Sequence, residues 1–106
     1  MLPSEDCSCI EEVRKNIDQI DRQIVALLAK RGGYVKQAAR FKQNRVEVQA
    51  PQRVEQVIAK VTALADELGA NRLAVEQVYR AMISAFINAE LAEHAALDPL
   101  DKTHTS

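Results

Sequence analysis

Aromatic residues and residues that break secondary structure are scarce in this chain of 106 residues. It has no tryptophan and only four other aromatic side chains, together with three glycines and three prolines. A core must therefore be built from Ile, Val, Leu and Ala. The hydrophobic fraction of 47% is ordinary for a globular protein and excludes bulk disorder. A chain of this length has room for one domain with a modest core.

The sequence also lacks a strong charge imbalance and a long apolar run. Its 14 basic and 15 acidic residues are interspersed and give a formal net charge of -1. Proteins that bind nucleic acid or anionic membranes carry a basic excess, so the composition argues against both. With no bilayer-length apolar run and no charged-then-apolar leader, we expect a cytoplasmic protein. Cys7 and Cys9 are too close for a favourable disulfide, and no second Cys or His cluster completes a metal site.

The apolar residues that are present follow a helical pattern. Between residues 10 and 27 they alternate steps of three and four, the spacing of a helix that buries one seam: Ile10, Val13, Ile17, Ile20, Ile24 and Leu27. The next seam position is Arg31, and the repeat continues in phase across Gly32 and Gly33. A glycine within a helix costs about 0.5–1 kcal/mol. The unchanged phase nevertheless favours one unbroken helix from Ile10 to Phe41.

Two further helices are predicted after a polar loop at residues 43–50. Pro51 suits the first turn of a helix, and Gly69 suits the position just past its end. Asn71 is a suitable N-cap for the third helix. Apolar residues at three-four spacing follow in both segments: Val54, Val57, Val61, Leu64 and Leu68, then Val75, Val78, Met82, Ala85 and Ala89. No strand-like alternation competes in these segments, so the sequence predicts an all-α chain of three helices.

The sequence predicts one helical domain at residues 9–96, between an N-terminal tail at 1–8 and a disordered C-terminal tail at 97–106. The first helix would be about 48 Å long, whereas a compact chain of this length has a diameter of about 35 Å. One end would then project with its apolar seam bare, so we expect a second copy to cover it in an entwined homodimer. Glycines in this helix would also let another group approach its backbone closely.

A charged residue at a seam position needs an explanation, because burying an unpaired guanidinium is costly. Arg31 either forms an internal salt bridge, snorkels at a bundle end, or holds a ligand carboxylate or phosphate. Lys42 points within about 20° of Arg31 and lies about 16 Å further along, so the two could grip one small dianion. Arg14, about 25 Å away, could reach that ligand only from a partner chain. Arg53 could close the site from another side.

Glu90 lies on the edge of the apolar stripe of the third helix. It follows Phe86 by four residues and Tyr79 by eleven. Its carboxyl group is either solvated near the helix end, beside Glu93, or desolvated. Desolvation favours the protonated form, which donates a hydrogen bond.

Together these residues resemble the all-helical chorismate mutases. The matching positions are Arg14 in EEVRKNIDQID, Arg31 in LLAKRGGYV, Lys42 in AARFK, Arg53 in APQRV and Glu90 in INAELA. The likeness covers roughly residues 5 to 93. Within the family the chain resembles in particular the isochorismate-pyruvate lyases that form salicylate. The shared features are an EDC near the N-terminus, the YVKQAARFK run and the APQRV after a short loop.

The resemblance implies an entwined dimer with two equivalent sites, each completed by the partner's first arginine. The substrate-binding residues would be Arg14, Arg31 and Arg53, and the catalytic residues Lys42 and Glu90. The partner subunit's Arg14 and this chain's Arg31 would bind the two substrate carboxylates. Lys42 and Glu90 would donate to the ether oxygen from opposite sides, and the loop at 43–50 would act as a lid. The resemblance implies no cofactor and no metal.

The implied reaction is the rearrangement of chorismate to prephenate, and the alternative is an isochorismate-pyruvate lyase that forms salicylate. Glu90 favours the mutase, because the salicylate-forming lyases carry glutamine at that position. Further alternatives are a 4-amino-4-deoxychorismate mutase and a non-catalytic helical dimer. The costly Arg31 argues against the last of these. Apolar neighbours such as Ala38, Ile83 and Ile87 would select the ring substituent.

Overall fold

The computed structural model describes residue 4, residues 6–41 and residues 51–97. They form three helices: α1 (Ile10–Ala39), α2 (Pro51–Leu68) and α3 (Arg72–Leu97). The described ranges contain no strand, and none of their helices is long and apolar enough to cross a membrane. The predicted all-α chain with a long first helix is confirmed. The predicted lid at 43–50 lies outside the described residues, as does nearly all of the predicted C-terminal tail.

Helix α1 runs without a break through Gly32 and Gly33, which confirms the prediction from the phase of its apolar repeat. Its 30 residues span about 45 Å. In its first turn, the Glu12 carboxylate accepts hydrogen bonds from the backbone N–H and the hydroxyl of Ser8, both at 3.0 Å. The hydrogen bond from the backbone N–H, and then that from the hydroxyl, lower the pKa of Glu12. This contact ties the residues before the helix to its first turn.

The turn between α2 and α3 uses local backbone chemistry. Gly69 has φ 76°, and the Ala70 N–H donates to the Ala65 carbonyl at 2.8 Å, which closes the end of α2. The Asn71 side-chain oxygen then accepts from the Ala74 N–H at 2.9 Å and caps α3. The roles predicted for Gly69 and Asn71 are both confirmed. The short turn makes α2 and α3 a helical hairpin.

The core lies between α2 and α3 and is small. Its buried apolar residues are Ile58 and Ala65 on α2 and Ile83 on α3. Thr62 is buried beside them. Its hydroxyl donates to the Ile58 carbonyl at 2.8 Å, so this buried polar group has a hydrogen-bond partner. The hairpin therefore carries most of the packing found in a single chain.

Arg80 ties the first half of α2 to α3. Its guanidinium donates to both carboxylate oxygens of Glu55 on α2, at 2.8 and 3.0 Å, and to Glu76 on its own helix at 2.9 Å. The hydrogen bonds from Arg80 lower the pKa of Glu55, and those to Glu55 and Glu76 raise the pKa of Arg80. Such solvent-exposed pairs add little stability. Their bidentate geometry joins α2 to α3 at Glu55, two residues after Arg53.

Helix α1 leaves much of its apolar surface uncovered. None of its residues is fully buried, and the α1 seam is 37–63% exposed: Ile10, Val13, Ile17, Ile20, Ile24 and Leu27. The chain measures 60 × 28 × 21 Å and has a radius of gyration of 18.0 Å, against about 13 Å for a compact domain of this length. The predicted bare seam on a projecting helix is thus present in the single chain.

Candidate active site

A cleft of about 780 Å³ is lined by residues of all three helices. Apolar side chains form much of its wall, among them Leu27, Val35, Val54, Val57, Ile83 and Ile87. Ala38, Ile83 and Ile87, which the sequence analysis placed beside the pocket, all line it. The same cleft also contains charged groups from each helix, which an internal packing gap would not.

Arg31 enters the cleft from α1 and rests against two aromatic rings of α3. Its guanidinium carbon lies 5.8 Å from the Tyr79 ring centroid and 5.9 Å from the Phe86 ring centroid. These rings are seven residues apart, two turns along one face of the helix. Within the described residues, no carboxylate forms an ion pair with Arg31.

The surroundings of Arg31 weigh against the internal salt bridge considered from the sequence. Ring faces attract a half-buried guanidinium through cation–π contacts, but they do not accept hydrogen bonds in its plane. The planar fork of donors is therefore suited to bind an anion that enters the cleft.

The approach of Phe86 to α1 depends on Gly32. A methyl group at Gly32 would lie 2.9 Å from Cε1 and 3.3 Å from Cζ of Phe86, which is closer than the ring can accept without moving. A methyl group at Gly33 would meet nothing within 4 Å. The close approach expected at the glycines therefore occurs at Gly32, where the backbone of α1 meets the ring.

Arg53 and Glu90 complete the charged groups predicted for the site. Arg53 lies in the first turn of α2 and lines the cleft with an exposed side chain. Glu90 lies on α3 and lines the cleft from a buried position, with 8% of its surface exposed. Burial excludes the solvated alternative for Glu90. Two guanidinium groups and a buried carboxyl group thus line the same cleft.

One of the five predicted site residues lies away from the cleft, and a second is not described. Arg14 lies on α1, 17 residues before Arg31 and thus about 25 Å away along the helix. It is exposed, and the single chain gives it no access to this cleft. Lys42 lies outside the described residues. The structure therefore brings together Arg31, Arg53 and Glu90.

Lys30 and the role of the two rings were not predicted from the sequence. Lys30 lies next to Arg31 and lines the cleft, although it is off the seam, where spacing does not distinguish it from a surface lysine. Tyr79 and Phe86 served only to place Glu90 on the apolar stripe. Their spacing of seven residues, together with a glycine beside a misplaced arginine, was the available signal.

The arrangement is suited to binding a small anion with an apolar body. Basic side chains lie at the cleft, and apolar side chains form much of its wall. Among the described residues that line it there is no Ser, Cys or His. The site can therefore orient a substrate and stabilise charge on it, without a nucleophile of those kinds.

Comparison with known proteins is consistent with this geometry. Residues 13–91 match the family described as chorismate mutase type II. The chain is also similar to a protein of Pseudomonas aeruginosa named isochorismate pyruvate lyase. The two are 34% identical over 91 residues, which cover 86% of this chain and 90% of that protein. The family match includes all three residues that the cleft brings together.

Proposed function

Because the chain belongs to the chorismate mutase type II family, we propose that it catalyses the rearrangement of chorismate to prephenate. The observation that carries this proposal is the convergence of Arg31, Arg53 and Glu90 on one cleft with apolar walls. Chorismate is a small dicarboxylate with an enolpyruvyl ether on its ring. Cationic donors match its carboxylates, and an apolar wall matches its ring.

The proposed reaction needs positioning rather than covalent catalysis. The ether C–O bond breaks while a C–C bond forms between the enolpyruvyl methylene and the ring, and no atom leaves the molecule. Negative charge develops on the ether oxygen as its bond to the ring lengthens. A cleft that holds the folded substrate and donates hydrogen bonds to that oxygen supplies both contributions.

In this proposal each charged group has a distinct task. Arg31 binds one substrate carboxylate through its planar fork, and Arg53 closes the site from α2. The carboxyl group of Glu90 donates a hydrogen bond to the ether oxygen from α3. Lys42 donates to the same oxygen from the other side. Apolar neighbours from α1 and α3 hold the ring.

A second copy of the chain completes the proposed site. The bare α1 seam is too apolar and too continuous for a monomer surface, and an identical helix is the simplest partner for it. An antiparallel partner would bring the partner subunit's Arg14 to the cleft, where it would bind the second carboxylate. The proposed active form is an entwined homodimer with two equivalent sites.

Mixing two inactive variants tests this shared site. In Arg14→Ala each chain keeps its own Arg31, and in Arg31→Ala each chain keeps its Arg14. A mixed dimer would contain one intact site, so unfolding and refolding the two together should restore roughly a quarter of wild-type activity. A mixture that stays inactive while forming mixed dimers would show that Arg14 does not act across the interface.

An isochorismate-pyruvate lyase is the second candidate, favoured by the name of the similar Pseudomonas aeruginosa protein. In that reaction the same kind of ether bond breaks, and a hydrogen moves from the ring to the enolpyruvyl methylene. The products are salicylate and pyruvate, so atoms balance without a cofactor. The cleft would bind isochorismate through the same carboxylates.

A side-by-side assay on chorismate and isochorismate decides between the candidates. The purified protein should form prephenate with little salicylate. Dominant salicylate would assign the lyase reaction instead. If neither product forms, 4-amino-4-deoxychorismate is the next substrate to assay. A stable dicarboxylate mimic of folded chorismate should also stabilise the protein, by about 2.7 kcal/mol at one hundred times its dissociation constant. A non-catalytic dimer module would show no such shift.

The role of Glu90 is tested by substitution. A hydrogen-bond donor at this position stabilises the charge that develops on the ether oxygen. We therefore expect Glu90→Gln, whose amide donates, to keep activity on chorismate, and Glu90→Ala, which cannot donate, to lose on the order of a hundredfold in kcat/KM. An alanine variant with wild-type kcat/KM would contradict this role.

A further inference from the structure

We propose that Gly32 is a positioning residue for Arg31. Its missing side chain lets the Phe86 ring lie against α1, and this ring and Tyr79 hold the Arg31 guanidinium in the orientation that binds a carboxylate. The inference rests on the proposed function, since it assigns a structural support to the arginine that binds substrate there. Gly32 itself is not among the described residues that line the cleft.

The two rings form a support beneath the guanidinium. Tyr79 and Phe86 lie on the same face of α3, two turns apart. Their ring centroids are at almost equal distances from the guanidinium carbon of Arg31, 5.8 and 5.9 Å. An arginine side chain has four rotatable bonds and is costly to immobilise when a ligand binds. Rings that already favour one orientation reduce that cost, because ordering precedes binding.

The close approach of the Phe86 ring requires a position on α1 that has no side chain. A methyl group at Gly32 would approach Phe86 Cε1 to 2.9 Å. The helix backbone is held by its own hydrogen bonds, so the side chain of Phe86 is the part that must move. A displaced ring would take its support away from Arg31, one residue earlier on the same helix.

Gly33 shows that helix flexibility alone does not explain the pair of glycines. Both residues lie inside α1 and carry a similar cost in helix propensity. Only Gly32 has a neighbour that a side chain would displace, since a methyl group at Gly33 meets nothing within 4 Å. Two adjacent glycines therefore form a matched pair for experiment.

The first experiment compares Gly32→Ala with Gly33→Ala in the full-length protein. Both variants should fold, because alanine improves helix propensity at either position. Gly32→Ala should lose about threefold to tenfold in kcat/KM, mainly through a higher KM, because a displaced Arg31 binds the carboxylate less well. Gly33→Ala should keep wild-type kinetics. A role in folding alone would change the melting temperature and leave KM unaltered.

A second experiment places the same change in a chain that lacks the ring. In Phe86→Leu the atoms that a methyl group would strike are gone, so adding Gly32→Ala should cause no further rise in KM. The orientation of Arg31 can be followed separately by NMR, because ring currents shift the protons next to its guanidinium. Those shifts should move toward ordinary values in Gly32→Ala and stay in place in Gly33→Ala.

Either of two results would overturn the inference. One is an equal KM for Gly32→Ala and Gly33→Ala in folded protein. The other is a full effect of Gly32→Ala in the Phe86→Leu background. A wild-type protein that turns over neither substrate would instead contradict the proposed function, and the NMR shifts of Arg31 would still test the contact of Gly32 with Phe86.

Discussion

The two halves of α1 carry one continuous repeat but have different surroundings. The α1 seam, from Ile10 to Leu27, is apolar and 37–63% exposed. From Leu27, the last residue of that seam, onward the helix lines a cleft, and the next seam position, Arg31, rests on two rings. An apolar repeat therefore indicates that a surface is to be buried, but it does not say whether the same chain buries it.

The difference reflects where the hairpin lies along α1. Helix α1 spans about 45 Å, α2 about 27 Å and α3 about 39 Å. The rings of Tyr79 and Phe86 on α3 meet α1 at Arg31 and Gly32. The hairpin thus contacts the part of α1 that carries the site and leaves the α1 seam exposed. Four changes would break or sharpen this contrast, and they follow in order of expected effect.

The largest effect is expected from a charge in the bare half. Ile17→Lys would place an ammonium group in the proposed interface, where burial without a partner costs several kcal/mol. Dimer affinity should fall on the order of a hundredfold or more, as measured by sedimentation or light scattering across a concentration series. Gln19→Lys, two residues away on the opposite face of α1, is the control and should leave association unchanged. If Ile17→Lys had no more effect than the control, the α1 seam would not be the interface.

The second change compares isoleucines in the two regions. Ile58 in the hairpin core is 6% exposed, so Ile58→Ala should cost about 2–5 kcal/mol of unfolding free energy. Ile24 is 47% exposed in the single chain, and Ile24→Ala should approach that cost only when a partner covers it. Urea unfolding at high and low protein concentration measures the difference. A small, concentration-independent cost for Ile24→Ala would mean that this seam stays exposed.

The third change compares glycines. Gly69 has φ 76°, so Gly69→Ala should cost about 1–2 kcal/mol. Gly33→Ala, inside α1, should stabilise by about 0.5–1 kcal/mol. Thermal unfolding of the two variants shows whether each substitution lowers or raises stability. Equal effects would show that the turn of the hairpin is not constrained by its left-handed residue.

The smallest effect concerns pH. Arg80 lowers the pKa of Glu55, so this carboxylate stabilises the folded chain above its ordinary pKa, and that contribution disappears as the pH falls through the lowered value. Glu55→Gln should therefore lose stability near neutral pH and weaken the acid dependence of the urea midpoint. Glu12 is the comparison, because Ser8 lowers its pKa through a contact at the start of α1. Glu12→Gln should affect mainly fraying of that first turn. An unchanged acid dependence in Glu55→Gln would show that its bridge adds nothing measurable.

Local rules were sufficient to predict the secondary structure closely. The starts at Ile10 and Pro51, the left-handed Gly69 and the cap at Asn71 depend on hydrogen bonds between residues a few positions apart. The continuity of α1 through its glycines followed from the phase of its repeat. Each of these features is a property of the nearest turn of chain, so spacing and residue type are enough to predict it.

The site was predicted less completely. Arg31 was identified because a charge breaks the apolar repeat, which is visible without a structure. Burial of Glu90 was left open, since a residue at the edge of a stripe can face either solvent or a neighbouring helix. Lys30 carried no signal, because its place in the cleft depends on how α1 lies against the hairpin.

The sequence alone was therefore enough to establish three helices, a seam longer than the chain can cover, and an arginine in that seam. Tertiary structure decided that Arg31 rests on Tyr79 and Phe86 rather than on a carboxylate, and that Gly32 rather than Gly33 meets a ring. The physical reason is the distance along the chain over which the two kinds of interaction act. Helix formation depends on bonds within one turn, whereas a cleft depends on the angle and offset at which distant helices pack, which residue spacing along one helix does not specify.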